Sequence, residues 1–364
     1  MERMIKYPSI NQYRDVVKNV KHKAQFVGLD SDGNAIMNRM AKMPTLKFIG
    51  TVKSHGTNFS IIISPQCDFW CQSRENIITP EKDNAGSAAF GYYNKETFMK
   101  MATDAVDQTD SNSFTYNRDF MIAGEWCGKG IQKGVAISEL DKMFIIFNMA
   151  FVDSEGNKTW LTREEMEEVL NMQGVVAKLN ANHIYSVYQF QTFEVDIDFE
   201  HPEIAQNELN RLCEFVENEC PIGFSFGVKG IGEGIVFKCA SEGYEDSGYF
   251  FKVKGELHSK SKVKTLATVD IERINNIREL SDKLANNGRL EQFHQIVFDT
   301  LNGGQTDMSK MGDFIKAVTS DCLKEELDTI QSSGFTMKEL GSTISKLCRE
   351  FIQIKLNEEA GILA

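Results

Sequence analysis

Residues 51 to 61, TVKSHGTNFSI, begin as a strand and then break it. β-Branched Thr51 and Val52 lead into Lys53, Gly56 permits close backbone approach, and polar side chains gather within five positions. A lysine delivered by a strand into such a turn is a candidate amine nucleophile. The bare spacing K-x-x-G carries no weight, since it also begins at Lys47, Lys229, Lys252 and Lys338. Alone, Lys53 reads as an exposed strand lysine; the extended string KSHGTNF is what sets it apart.

The chain around it has 364 residues, 41% hydrophobic and 25% charged, enough for two domains. It has no run of about 18 apolar residues and no apolar leader in MERMIKYPSI, so the expected setting is the cytoplasm, without a membrane span. The eight cysteines form no CxxC pair and no compact zinc-type set with histidine, and are expected as reduced thiols in the core. A net charge of -12 argues against unspecific coating of nucleic acid, which depends on phosphate neutralisation by Lys and Arg. Locally, KVKGELHSKSKVK (252 to 264) holds five lysines against one glutamate. By itself such a run is a solvated surface.

Short strand-like runs occupy about 45 to 265: SIIIS, FWCQSR (69–74), FMIAGEW (120–126), MFIIFNMAFV (143–152), GIVFK (234–238) and YFFKVK (249–254). Helices interrupt them at NKETFMKMATDAV, after a Thr162-x-x-Glu165 capping box, and from Pro202 to about Asn218. The mixture predicts an α+β domain with largely antiparallel sheets and flanking helices over 1–265. From 268 the strand signal stops. Ile271, Ile274, Ile277, Leu280 and Leu284 fall at helical spacing, with Asn287-Gly288 as the expected stop. A Thr336-x-x-Glu339 box opens a helix expected to carry Ile344, Leu347, Phe351 and Ile354 on one side. Residues 266–364 are therefore expected to form a separate all-α domain.

Further chemistry-bearing residues follow in order. Arg74 ends a strand; Gly124-Glu125-Trp126 leads into GKGIQ; Phe147 sits in MFIIF; Glu233 opens GEGIVFK; Lys252 and Lys254 alternate on one face of YFFKVK. Each has an ordinary reading as well: Arg74 a strand-end salt bridge, Glu125 a surface carboxylate, Phe147 core, Glu233 a turn residue, Lys238 a surface strand lysine and His55 a solvent-exposed loop histidine. GKGIQKG has the spacing GxGxxxG, and Walker A is absent, which excludes a Rossmann or P-loop site.

Together, KSHGTNF, GEWCGKGIQ, GEGIVFK and FKVKGE resemble nucleotidyltransferase motifs I, III, IV and V of ATP-dependent RNA ligases, in particular the RNA ligase 2 family of bacteriophages and the kinetoplastid RNA-editing ligases. The resemblance covers about 5 to 260 and includes YPSINQY and FGYY (90–93). It implies the covalent-ligase type of nucleotidyltransferase domain, with lysyl-AMP formed at Lys53 from ATP, AMP passed to a 5′-phosphate, and attack by a 3′-hydroxyl. Lys252, Lys254 and Mg²⁺, for which Mn²⁺ can substitute, would favour the neutral amine and offset phosphate charge.

The same resemblance implies that Glu125 accepts a bond from the ribose, Phe147 stacks on adenine, and Arg74 binds ribose or phosphate. Glu233 and Asn58 would serve the metal, His55 the later steps, and Lys238 the nucleotide or RNA phosphates. The implied partner is RNA, at nicks in duplex RNA or an RNA-containing hybrid, with the helical domain orienting it and the protein acting as a monomer in the host cytoplasm. Two positions depart from the pattern. Val52 stands where related ligases commonly have glutamate, so adenine selection would need backbone contacts; Asn148 stands where aspartate is often found. A DNA ligase, a capping-type guanylyltransferase and a non-catalytic binder of nucleic-acid ends are the alternatives.

Overall fold

The computed structural model describes residues 2–83, 85–108, 117–171, 175–255, 270–298 and 304–360. Most of the basic run, residues 256–264, lies outside them. The chain divides into two compact units, one of 1–26 with 42–268 and the other of 27–41 with 269–364. The expected boundary at 265 falls outside the described residues, and a division into two contiguous pieces does not anticipate that 27–41 belongs with the later unit.

The strands in chain order are β1 (Phe26–Leu29), β2 (Ala35–Met37), β3 (Thr45–Val52), β4 (Gly56–Ile63), β5 (Phe69–Ser73), β6 (Ile77–Ile78), β7 (Asp119–Cys127), β8 (Met143–Val152), β9 (Lys158–Trp160), β10 (Ile184–Ser186), β11 (Thr192–Asp198), β12 (Gly234–Cys239) and β13 (Phe251–Lys254). The helices of the first unit are α1 (Tyr13–Gln25), α2 (Ser87–Tyr93), α3 (Lys95–Gln108), α4 (Arg163–Asn171), α5 (Val175–Ala181), α6 (Ala205–Asn218) and α7 (Pro221–Ser225).

The first unit is α+β, as the strand and helix pattern predicts. Its larger sheet runs β10-β8-β7-β4-β5-β6, with β9 against β8. Its pairs are antiparallel except β10 with β8. The smaller sheet runs β11-β3-β12-β13 and is antiparallel throughout.

The period-2 alternation of side chains sorts the larger sheet into two faces. Phe59, Ile61, Phe120, Ile122 and Phe144 pack with Phe98 and Met101 of α3 and Met166 and Val169 of α4. On the other face, Ile62, Met121, Ala123 and Val152 meet Trp70 and Ile5. A further core joins the inner residues of the smaller sheet, Phe48, Ile235, Phe237 and Phe251, to Val16 and Val20 of α1 and Leu209, Leu212 and Val216 of α6. Full burial of rings such as Phe144, edge-on to Phe59 at 5.0 Å, makes truncation there cost about 3–5 kcal/mol.

The capping box at Thr162 and Glu165 is formed in both directions, at 2.7 and 3.2 Å, and α4 starts at Arg163 accordingly. Seven of the eight cysteines are buried thiols and Cys67 is exposed.

The second unit holds the β1–β2 hairpin, turned by Asp30 as its Oδ1 accepts from Asp32 and Asn34, and the helices α8 (Ile271–Leu284), α9 (Asn287–Phe298), α10 (Met311–Glu325), α11 (Leu327–Ser332) and α12 (Met337–Glu359). Asn287-Gly288 does not stop α8. That helix ends at Leu284, where the chain caps through Ala285 N to Ser281 O at 2.8 Å, and Asn286 Oδ1 accepts from Arg289 N to open α9. The box at Thr336 and Glu339 is present. The helix it opens buries Leu340, Ile344, Cys348, Phe351 and Ile352, while Ile354, expected on that stripe, is 47% exposed. Over a long helix, a period of 3.6 carries the buried side away from the positions that a few apolar residues suggest.

Candidate active site

Antiparallel register assembles the first part of the site. Val52 pairs with Ile235 and Gly234 with Lys254, so the end of β3, the start of β12 and the end of β13 share one edge of the smaller sheet. Lys53 N donates to Gly234 O at 2.8 Å, which carries its side chain to Glu233. Lys53 Nζ lies 2.8 Å from Glu233 Oε2 and Lys254 Nζ 2.6 Å from Oε1. His55 Nδ1 is 3.0 Å from the same Oε2. Glu233 is only 4% exposed. Burial alone would raise its pKa, but the charges and hydrogen bonds of Lys53 and Lys254 prevail and hold it at about 2.

The larger sheet supplies the second part. Asn58 on β4 and Glu125 on β7 are cross-strand partners. Glu125 Oε1 accepts from Gly56 N at 3.0 Å. A Cβ at position 56 would stand 2.2 Å from the Trp126 carbonyl oxygen, so only glycine lets the backbone come this close. Burial raises the Glu125 pKa to about 7 against the opposing pull of the Lys53 charge and the Gly56 N–H.

A bulge in β8 supplies the third. Ala123 pairs with Asn148 but Gly124 with Ile146, leaving Phe147 as the extra residue. Before it, Phe144 and Ile146 face the helical core; after it, Met149 and Phe151 do. The alternation changes parity there, so Phe147 and Asn148 both leave that core. Lys238 Nζ donates to Phe147 O and to Asn148 Oδ1, and Asn148 Nδ2 donates to the Tyr7 hydroxyl at 2.8 Å. Burial pushes the Lys238 pKa down to about 7.

The segment 3–11 runs beside these groups. Gln72 exchanges side-chain hydrogen bonds with the Ile5 backbone, and Trp70 Nε1 donates to Arg3 O at 3.1 Å. Farther on, Asn11 pairs with Phe251 of the other sheet. Ser9 Oγ accepts from Arg74 at 3.0 Å, and Ile10 O accepts from Lys252 Nζ at 3.0 Å. Burial, together with Lys254, Lys53 and Arg74, lowers the Lys252 pKa.

A pocket of about 330 Å³ opens among these parts, a size that suits a small ligand. Phe147, Val187 and Val236 give it an apolar side, and Lys53, Arg74, Lys238 and Lys252 a cationic one. Of the ten residues singled out from the sequence, Lys53, Asn58, Arg74, Glu125, Phe147, Lys238 and Lys252 line it. Glu233 joins them through its ion pair with Lys53, and His55 and Lys254 join through Glu233.

Sequence reasoning did not single out Tyr7, Pro8, Ile10 or Val187, which also line the pocket. The string YPSINQY carried the signal for the first three; nothing marks Val187. The Val52 side chain is 2% exposed and belongs to a core cluster, although the residue borders the pocket.

Among the described residues, no group of three or more His, Cys, Asp or Glu could hold a metal ion. Both Glu233 oxygens are engaged by cations. The Glu233 carboxylate and the Asn58 amide oxygen are hard oxygen donors of the chemical type a divalent ion takes. Among the described residues, no helix is long and apolar enough to cross a membrane.

The sequence matches the RNA ligase family over residues 46–254, which is more than half of the chain. The chain belongs to the RNA ligase family. No curated protein matches it. Among solved structures, it is similar to a lysine-to-methionine mutant of the Naegleria gruberi RNA ligase with AMP and Mn, at 16% identity and TM-score 0.41, covering 70% of this chain and 57% of that one. The Naegleria gruberi RNA ligase with PPi matches at 15% identity and TM-score 0.41, covering 71% of this chain and 59% of that one. The chain thus spans less than two thirds of the length of these structures.

Proposed function

We propose that this protein is an ATP-dependent RNA ligase that works through a lysyl-AMP adduct at Lys53. The observation that carries the reading is the Glu233 carboxylate held between the Lys53 and Lys254 amines, at 2.8 and 2.6 Å, beside a pocket whose wall adds Arg74 and Lys252. A lysine oriented by a buried carboxylate, among cations that match a polyphosphate, is what nucleotidyl transfer needs.

Lys53 gives its proton to solvent and its nitrogen attacks the α-phosphorus of ATP. The N–P bond forms as the P–O bond to pyrophosphate breaks. Glu233, with a pKa of about 2, stays ionised and so orients the amine rather than taking its proton. A 5′-phosphate oxygen of RNA then attacks the same phosphorus, Lys53 leaves and is reprotonated, and a 3′-hydroxyl displaces AMP. Glu233 and Asn58 would be the protein's oxygen donors to a divalent ion, Mg²⁺ or Mn²⁺, which would supply neutralisation of phosphate charge. Glu125 receives the ribose hydroxyl, Phe147 stacks on the base, and His55 serves the later transfers. The HGTNF string supports the phage-type branch and, with it, nicks in duplex RNA or hybrid as substrate.

The test is incubation with α-labelled ATP and Mg²⁺ without RNA, after any bound AMP has been discharged with pyrophosphate. The expected result is a covalent label at Lys53 that Lys53→Ala abolishes, followed by sealing of a nicked RNA duplex in preference to a nicked DNA duplex. A protein labelled by neither ATP, GTP nor NAD would end the reading in favour of an end-binding protein.

A further inference from the structure

On three helices of the first unit, a cation is neutralised within its own helix. Lys100 on α3, Arg163 on α4 and Arg211 on α6 are each tied to a carboxylate three or four positions away, at 2.7 to 2.8 Å. Helix α1 departs from this. Its sequence, YRDVVKNVKHKAQ, carries Arg14, Lys18, Lys21 and Lys23 against Asp15 alone, in a chain whose net charge is -12. Lys23 is engaged elsewhere, donating to Gly243 O and lying 4.2 Å from the Tyr244 ring centroid. The other three fall within about 60° of one another around the helix. They lie on the side away from the buried Tyr13, Val16 and Val20. The side chains of Arg14 and Lys18 are 74% and 76% exposed, and Asp15 Oδ1 stands 4.0 and 3.9 Å from them, too far for a hydrogen bond.

Resting on the RNA-ligase reading above, we propose that this face of α1 is a second RNA-binding surface, separate from the nucleotide pocket, that holds phosphates of the substrate beyond the ends being joined. Alternation along β13 sets its place. Phe251 and Val253 point into the core beneath α1, with the Tyr13 ring 5.1 Å from that of Phe251, whereas Lys252 points to the pocket and Lys254 to Glu233. Helix α1 thus covers the face of the smaller sheet opposite the pocket, and its cations act on RNA that has passed the edge of that sheet at β13. Arg14 and Lys21 stand about 10 Å apart along the helix axis, with Lys18 between them, so the three charged heads follow successive phosphates of one strand. Such contacts hold and orient without reading sequence. At the far end Phe26, 43% exposed and stacked on His22 at 5.8 Å, offers a ribose a flat apolar face. A bilayer would need an apolar side of α1, and that side is already spent on the core.

The experiment measures Kd for a long and a short nicked RNA duplex as salt is varied. It compares the wild type with a neutral variant (Arg14→Gln, Lys18→Gln, Lys21→Gln) and a charge-keeping variant (Arg14→Lys, Lys18→Arg, Lys21→Arg). In the neutral variant the slope of log Kd against log salt should fall by about 3 for the long duplex, one for each lost phosphate contact. Its affinity for that duplex should drop about tenfold or more at low salt, while the short duplex and lysyl-AMP formation from ATP stay as in the wild type. The charge-keeping variant should match the wild type throughout. If the neutral variant folds poorly, Lys18→Gln and Lys21→Gln alone should each lower the slope by about 1. Wild-type affinity and slope in the folded neutral variants overturn the proposal, as does a loss shared by the charge-keeping variant or falling equally on both duplexes. Displacement of the long duplex by polyglutamate at equal charge would assign the face to an acidic protein and overturn it too. Absence of any label from ATP, with the slope difference intact, would defeat the ligase reading and leave this surface standing.

Discussion

Lys53 Nζ and Glu233 Oε2 meet at 2.8 Å although 180 positions separate them in the chain. The antiparallel pairing of β3 with β12 is what brings them together, since Ile235 lies opposite Val52. A side chain placed by a sheet edge, as the proposed nucleophile is, is held more rigidly than one placed by a free loop.

Replacing that carboxylate should therefore be severe. Glu233→Gln leaves the Lys53 and Lys254 amines without their counter-charge and should slow lysyl-AMP formation by about 100-fold or more. The carboxylate pKa is depressed from 4.5 to about 2, so its stabilising contribution is present above 4.5 and lost as pH falls toward 2. Melting curves should show the wild type's advantage over Glu233→Gln vanishing across that window. An advantage that does not change with pH would sink the ion-pair account.

Glu125 runs the other way. Its folded pKa of about 7 lies above the ordinary 4.5, so the wild type is favoured below 4.5 and loses that contribution as pH rises through about 7. The melting-temperature difference between wild type and Glu125→Gln should fall by a few degrees from about pH 5 to about pH 8. A flat difference would mean that the carboxyl is not desolvated.

Lys238 gives a third profile. Its folded pKa of about 7 lies below the ordinary 10.5, so the folded state gains stability as pH climbs between those values and pays for a buried charge below 7. Lys238→Met should narrow its deficit, or exceed the wild type, near pH 6 and fall behind near pH 9. Thermal melts at both pH values decide it, and a pH-independent difference would refute the buried-amine account.

The motif residues were legible because chemistry restricts them to a few residue types at recognisable strings. Lys53, Glu125, Glu233 and Lys254 needed only their neighbours in sequence to be noticed. Tyr7 was not singled out, because its importance lies in contacts with Asn148 and Lys238, which are brought near by a bulge that no local pattern signals. In β11, Thr192–Asp198 alternates buried and exposed positions in a pattern plain to read, yet the strand assignments omit it because its outer face is acidic rather than β-forming. Strands β9 and β10 have three residues each, too few to set a period. The later helices were visible as helices, but Asn287-Gly288 shows how a stop signal can equally serve as the start of the next one.

The segment 3–11 is stitched to both sheets, and the bond from Lys252 to Ile10 closes a loop of 242 positions. During synthesis the ribosome releases this segment long before the strand that completes its docking, so an early-made piece must wait for a late one. Long-range closure of this kind slows folding and leaves apolar groups such as Ile5 and Tyr7 uncovered meanwhile. Competence to bind nucleotide would arrive in one step, when β13 emerges, rather than growing with chain length.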